Sequence, residues 1–260
     1  MLATALVCLA FQLRLPGTNV DDADYQALAT VLETEARPGD VVLLWPWWTE
    51  RARRFVPLHV PVVGYQGSDG DDLLEHPRIW VVRQPSLPGS NPGAFAKAFN
   101  ADRVEEGPAR SFGNLELQPY RNGRHRPVVF SATRSPGVAP EWHEVKFSPQ
   151  RCVRLNPPGG PARASVEFAN VPASTALRLE AGYTWDRGAF HSPGLSTTHV
   201  GVDVGGQTAL TLDLAPGREG LLVASGPGTA AGATLQLWAQ ADNHELRDIC
   251  VKLFALGTTP

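Results

Sequence analysis

The sequence predicts two domains of different class: a three-layer α/β domain with a small parallel sheet, followed by an all-β sandwich of jelly-roll type. Three observations carry this. Up to about residue 122, short apolar runs (Val41-Val42-Leu43-Leu44, Val60 to Tyr65, Ile79-Trp80-Val81-Val82) alternate with helical stretches, the pattern of strands covered by helices on both faces. Beyond it nearly every segment is a short strand bounded by turn residues. A cysteine stands near each end of that second stretch, Cys152 and Cys250.

Residues Asp21 to Ala36 are expected to form a helix. Asp21 is placed to cap it, Asp22 and Asp24 favour the positive end of its dipole, and Tyr25, Leu28, Val31 and Leu32 share one face. Arg37-Pro38-Gly39-Asp40 stops it. The apolar run Val41 to Leu44 reads as the first strand and Thr49 to Phe55 as a helix capped by Thr49. Strands at Val60 to Val63 and Ile79 to Val82, a short helix at Asp71 to Glu75, a helix opened by Asn91-Pro92 and running to Phe99, and a strand at Leu115 to Pro119 complete the first domain. Right-handed crossovers would make its sheet parallel.

The second domain offers strands at 144–147, 152–155, 164–168, 176–180, 198–204, 209–214, 220–224, 234–239 and 249–254. Val200, Val202 and Val204 alternate cleanly, as do Leu210, Leu212 and Leu214, and Gly205-Gly206 between them signals a hairpin. Eight or more such strands make a sandwich. The expected division is an apolar membrane or signal segment over 1–14, the α/β domain over 15–122, a linker with a possible edge strand (Val128 to Phe130) over 123–140, and the sandwich over 141–258.

The net charge of −3 gives no electrostatic case for nucleic acid. The first 120 residues hold 10 Lys/Arg against 15 Asp/Glu and the remainder 13 against 11, so neither part presents a polyanion-binding face. The apolar stretch Met1 to Leu13 is too short for a full span, which needs about 20 residues, and lacks the positive start of a signal peptide. It reads as the end of a membrane helix, an atypical signal sequence or a buried element. The first two place the folded part outside the cytoplasm, associated with a membrane through this segment.

Arg37 to Pro46, Pro61-Val62-Val63-Gly64-Tyr65, Arg78-Ile79-Trp80-Val81-Val82 and the segment Gly113 to Tyr120 resemble the soluble extracytoplasmic region of bacterial GT-C-type membrane glycosyltransferases, the dolichyl-phosphate-mannose–protein mannosyltransferase-like group. The resemblance covers roughly residues 15–120. It implies a region that follows a last transmembrane helix. The family's catalytic carboxylate lies in the membrane part, so no catalytic residue carries over.

Two aromatic platforms are candidate glycan or lipid-linked-sugar contacts. One is Trp45, Trp47 and Trp48 with Tyr65, beyond the carboxyl ends of the first strands, where ligands of parallel sheets lie. The other is the loop 182–196 with Tyr183, Trp185, Asp186 and His191. Packing of either set into a domain edge is the competing reading. His191, His199 and Asp203 lack the compact spacing of a metal site, and no metal or cofactor is expected. No Gly-x-Ser-x-Gly or phosphate-binding loop occurs. A Cys152–Cys250 disulfide is expected, because the first and last strands of jelly rolls lie side by side.

The reading is therefore a non-catalytic extracytoplasmic region, on the acceptor side or binding a glycan, of a membrane glycosyltransferase-like protein. Its rivals are a stand-alone secreted carbohydrate-binding protein and a small enzyme with its pocket at the Trp45–Tyr65 edge.

Overall fold

The structure is a computed structural model that describes residues 8–9, 20–64, 73–85, 93, 99–100, 103–146, 148–184, 195–243 and 248–258. The chain is mostly β-sheet and divides into two compact units, Met1–His125 and Arg126–Pro260.

Unit 1 is built on one sheet. Helix α1 (Asp22–Glu35) opens with a reciprocal capping box, Asp21 accepting from the N-terminal backbone while Asp24 reaches back to the Asp21 amide. Strands β1 (Val41–Trp45), β2 (Val62–Gly64) and β3 (Arg78–Arg83) run parallel, in the order β2-β1-β3. The sheet then reverses. Strand β6 (Leu115–Asn122) pairs antiparallel with β3, and β4 (Arg103–Glu105) and β5 (Arg110–Phe112) pair antiparallel with β6. The sheet is therefore mixed rather than parallel. The expectation failed because β4 and β5 are three-residue segments with one apolar side chain apiece, Val104 and Phe112, which carry no periodic signal.

The two faces of the sheet are both covered. Val42, Leu44, Trp80, Val82, Leu115 and Leu117 pack under Leu28 and Leu32 of α1. Val41, Leu43, Ile79, Val81 and Tyr120 pack on the other side with Leu73 and Phe99. The segment expected as a capped helix at 49–55 is a 3-10 helix over Trp47–Arg54, with Thr49 inside it and its hydroxyl donating to the Pro46 carbonyl at 2.8 Å. Residues 73–75 form a turn, and most of the helix expected from Asn91 lies outside the described residues.

The Arg37-Pro38-Gly39-Asp40 segment has a structural role. Asp40 is buried, and its Oδ2 accepts from the Arg37 amide (2.9 Å), Trp80 Nε1 (2.8 Å) and the Arg78 guanidinium (2.6 and 2.9 Å). The Arg78 side chain lies over the Trp80 ring at 4.7 Å. One carboxylate thus joins the turn after α1 to the start of β3.

Unit 2 is a sandwich of two sheets. The four-stranded sheet has the order β10 (Ala164–Val171), β15 (Ala233–Ala241), β12 (Thr198–Val204), β13 (Gln207–Leu214). The six-stranded sheet has the order β14 (Leu222–Pro227), β11 (Ala176–Tyr183), β16 (Ile249–Leu256), β9 (Ser148–Leu155), β8 (Glu141–Val145), and β7 (Val128–Ser131) also pairs with β16. Between the sheets lies one apolar core, to which Leu177, Leu179, Val200, Leu237, Val251 and Leu253 contribute. The β12–β13 turn has Gly205 and Gly206 at φ +56° and +84°, the left-handed values a two-residue hairpin turn requires.

Candidate functional site

At the carboxyl edge of the parallel strands, register aligns Trp45 with Arg83 and Arg83 with Glu116. Arg83 and Glu116 form an ion pair at 3.1 Å, and burial raises the Tyr120 phenol above its ordinary value while Arg83 pulls it down. Beside this row is a cleft of about 200 Å³ lined by Pro85, Ser111, Gly113, Asn114 and Glu116, smaller than the ~300 Å³ at which ligand pockets begin. Gly113 sits at φ +55°, and a Cβ there would run into the Asp24 carboxylate of α1.

The structure does not make Trp45 a surface platform. Its side chain is 7% exposed and packs with Leu43, Val81 and Phe99. The side chains of Trp47 and Trp48, and all of Tyr65, lie outside the described residues. The second platform divides in the same way. Tyr183 belongs to the core: it is 4% exposed, and its hydroxyl bonds to Thr198 Oγ1 (2.9 Å) and the Leu214 carbonyl (2.8 Å). That ring bridges the two sheets from inside, which corrects its assignment as a ligand contact. Trp185, Asp186 and His191 lie outside the described residues, as does nearly all of the 1–14 segment. Among the described residues no helix is long and apolar enough to cross a membrane.

Cys152 and Cys250 form a disulfide, with Cα atoms 5.4 Å apart; Cys8 is unpaired. The bond joins β9 to β16 on the outer face of the six-stranded sheet. The β8–β9 hairpin curls over that face, so that Val145 packs with both cysteines and Leu221. Gly182 of β11 permits the approach: a Cβ there would meet the Gly220 carbonyl oxygen at 2.7 Å and Val145 Cγ1 at 3.0 Å. Beneath the hairpin, Glu180 (0% exposed) faces Lys252 (4% exposed) directly across β11 and β16, Nζ to Oε2 3.8 Å. Arg178 donates to Glu180 at 2.8 Å, and Lys252 to Gln150 Oε1 at 2.5 Å. Trp142, on the solvent side of the same hairpin, is 70% exposed.

The outer face of the four-stranded sheet carries a different cluster. Asp203 is buried and accepts from Trp238 Nε1 (2.8 Å), Thr208 Oγ1 (2.7 Å) and Arg163 Nη1 (3.1 Å). The Arg163 guanidinium lies over the Trp238 ring at 3.7 Å. Gly201 lies under that ring, and a Cβ there would enter it. Next to Arg163 is Gln240, at 3.5 Å; beyond it is His199, register partner of Gln240 and bonded through Nδ1 to Asp213 at 2.7 Å.

Sequence reading missed this face and Trp142. The face leaves a signal: His199, Gly201 and Asp203 are the other half of the Val200, Val202, Val204 alternation, and Gln236, Trp238 and Gln240 alternate in the same way with Leu235, Leu237 and Ala239. The two described members of the His191–His199–Asp203 set are engaged with Asp213 and with Trp238, Arg163 and Thr208. Among the described residues no three or more His, Cys, Asp or Glu side chains come together to hold a metal. No serine or cysteine joins the His199–Asp213 pair as a nucleophile among the described residues.

No protein-family model matches the chain, and no curated protein matches it. The mannosyltransferase-like resemblance thus rests on the residues quoted for it alone. Solved structures with a similar shape exist. Tandem CBM51 modules of a family 98 glycoside hydrolase from Streptococcus pneumoniae align with 9% identity over 44% of this chain and 35% of that one, TM-score 0.34. A CBM36 domain of a xylanase from the hindgut metagenome of Trinervitermes trinervoides aligns with 14% identity over 46% and 88%, TM-score 0.29. The P-domain of Penaeus vannamei nodavirus aligns with 10% identity over 41% and 96%, TM-score 0.28. Likenesses this slight, spanning carbohydrate-binding modules and a viral domain, transfer neither ligand nor activity.

Proposed function

We propose that this chain is a non-catalytic extracytoplasmic region whose β-sandwich binds a glycan. The observation that carries the reading is the outer face of the four-stranded sheet. Surface arginines are ordinarily mobile and solvated. Here Arg163 is held by Asp203 from one side and by Trp238 from below, while Asp203 is itself fixed by Thr208. Side chains fixed before a ligand arrives lose little entropy when they bind it. The Cys152–Cys250 bond supports an oxidising compartment, where glycans are the abundant polar polymers. The residue pattern of 37–46 and 61–65 supports a membrane glycosyltransferase as the parent. A multi-span membrane region upstream in the gene product would bear that out.

The test is a glycan array probed with the oxidised chain, alongside hydrolase and transferase assays. Saturable binding to a subset of glycans without turnover is expected. Binding to none of them, or turnover of any, would overturn the reading.

A further inference from the structure

We infer that the glycan is a neutral oligosaccharide lying across the strands of the four-stranded sheet, along the row Arg163, Gln240, His199 and Asp213; this rests on the glycan-binding reading above. The row crosses all four strands, from the residue preceding β10 through β15 and β12 to β13. With neighbouring strands about 4.8 Å apart, its three gaps span about 14 Å, longer than one sugar ring.

Each member is anchored through part of its polar group and keeps another atom uncommitted among the described residues. Arg163 uses Nη1 for Asp203 and Nε for Gln240, and keeps Nη2. Gln240 uses Oε1 for Arg163 and keeps its amide hydrogens. His199 uses Nδ1 for Asp213 and keeps Nε2, and Asp213 keeps its second carboxylate oxygen. The line therefore offers donor, donor, imidazole and acceptor in turn, which suits hydroxyls that give and accept together. In the adjacent row Ser165, Trp238, Gly201 and Thr211 are register partners, and the Trp238 ring lies between Gly201 and the Arg163 guanidinium.

Charge selects the class of chain. Among the described residues, Asp203, Asp213 and Glu167 share this face with one arginine, so a uronate-bearing or sulfated chain meets net repulsion. The interaction calls for a neutral ligand.

Titration of the oxidised full chain with neutral tri- to hexasaccharides and with matching uronate-bearing ones tests this. Neutral chains should bind, with Gln240→Ala and Asp213→Asn each weakening binding about tenfold or more, the loss of one well-placed hydrogen bond. Arg163→Lys should weaken it too, because an ammonium lacks the planar fork, while Trp142→Ala should leave it unchanged. Unchanged near-ultraviolet circular dichroism in Gln240→Ala separates lost contact from lost fold; an altered spectrum passes the decision to Asp213→Asn. Preference for the acidic chains would overturn the inference. So would wild-type binding by both row variants together with loss in Trp142→Ala or Trp185→Ala, an outcome that leaves glycan binding standing. Failure of every saccharide to bind would remove the glycan-binding reading and this inference with it.

Discussion

Replacing both Cys152 and Cys250 with alanine should destabilise unit 2 by about 4–5 kcal/mol. The bond closes a loop between residues 98 apart, and the entropy of that closure in the unfolded chain corresponds to about 4.7 kcal/mol at 25 °C. Both cysteines are fully buried against Val145 and Leu221, so the substitution also removes two small packing groups. For a unit of this size each kcal/mol moves the melting midpoint by roughly 4 °C, giving a fall of roughly 15 °C or more. Urea unfolding of the oxidised and substituted proteins, followed by fluorescence and circular dichroism, measures it. The slope against urea should steepen as well, because the unlinked unfolded chain exposes more surface. A loss below about 1 kcal/mol with an unchanged slope would refute the argument that the bond acts through the unfolded chain.

Two more substitutions probe the buried charges. Lys252→Met should destabilise unit 2 by about 3 kcal/mol, because it removes the ammonium facing the fully buried Glu180; an unchanged urea midpoint would count against an ionised pair there. In unit 1, Asp40→Asn should lose about 3 kcal/mol, since one neutral amide cannot replace a carboxylate that accepts from Arg78, Trp80 and the Arg37 amide. Thermal unfolding of unit 1 checks it, and a shift of a degree or less would refute the role given to Asp40.

Apolar periodicity made most of the fold legible. The α1 capping box, the β1 run, the 198–204 strand and the Gly205-Gly206 turn lie where their side chains place them, because each buries one face or requires one backbone conformation. The reversal of the unit 1 sheet was not legible, since it depends on β4 and β5, whose few residues have no pattern of their own. The site was less legible than the fold. Aromatic residues drew attention by type, yet Trp45 and Tyr183 proved to be core, their rings worth more in packing than at the surface. Arg163, just before β10, Trp238 of β15 and Asp203 of β12 lie up to 75 positions apart (Arg163 to Trp238), and only pairing register brings them together.

Strand β16 pairs with β7, β9 and β11, and its Cys250 completes the disulfide. It is also the last strand of its unit to be made. During synthesis the first, third and fifth strands of the sandwich must therefore wait, their edges open, for a partner about 70 to 120 residues behind them. A chain lacking Ile249–Leu256 has every strand of the four-stranded sheet but lacks the one that joins β7, β9 and β11 in the six-stranded sheet. The six-stranded sheet of unit 2 thus closes only when β16 is available, and until then β7, β9 and β11 have open edges, the kind of exposed pairing surface that chaperones shield.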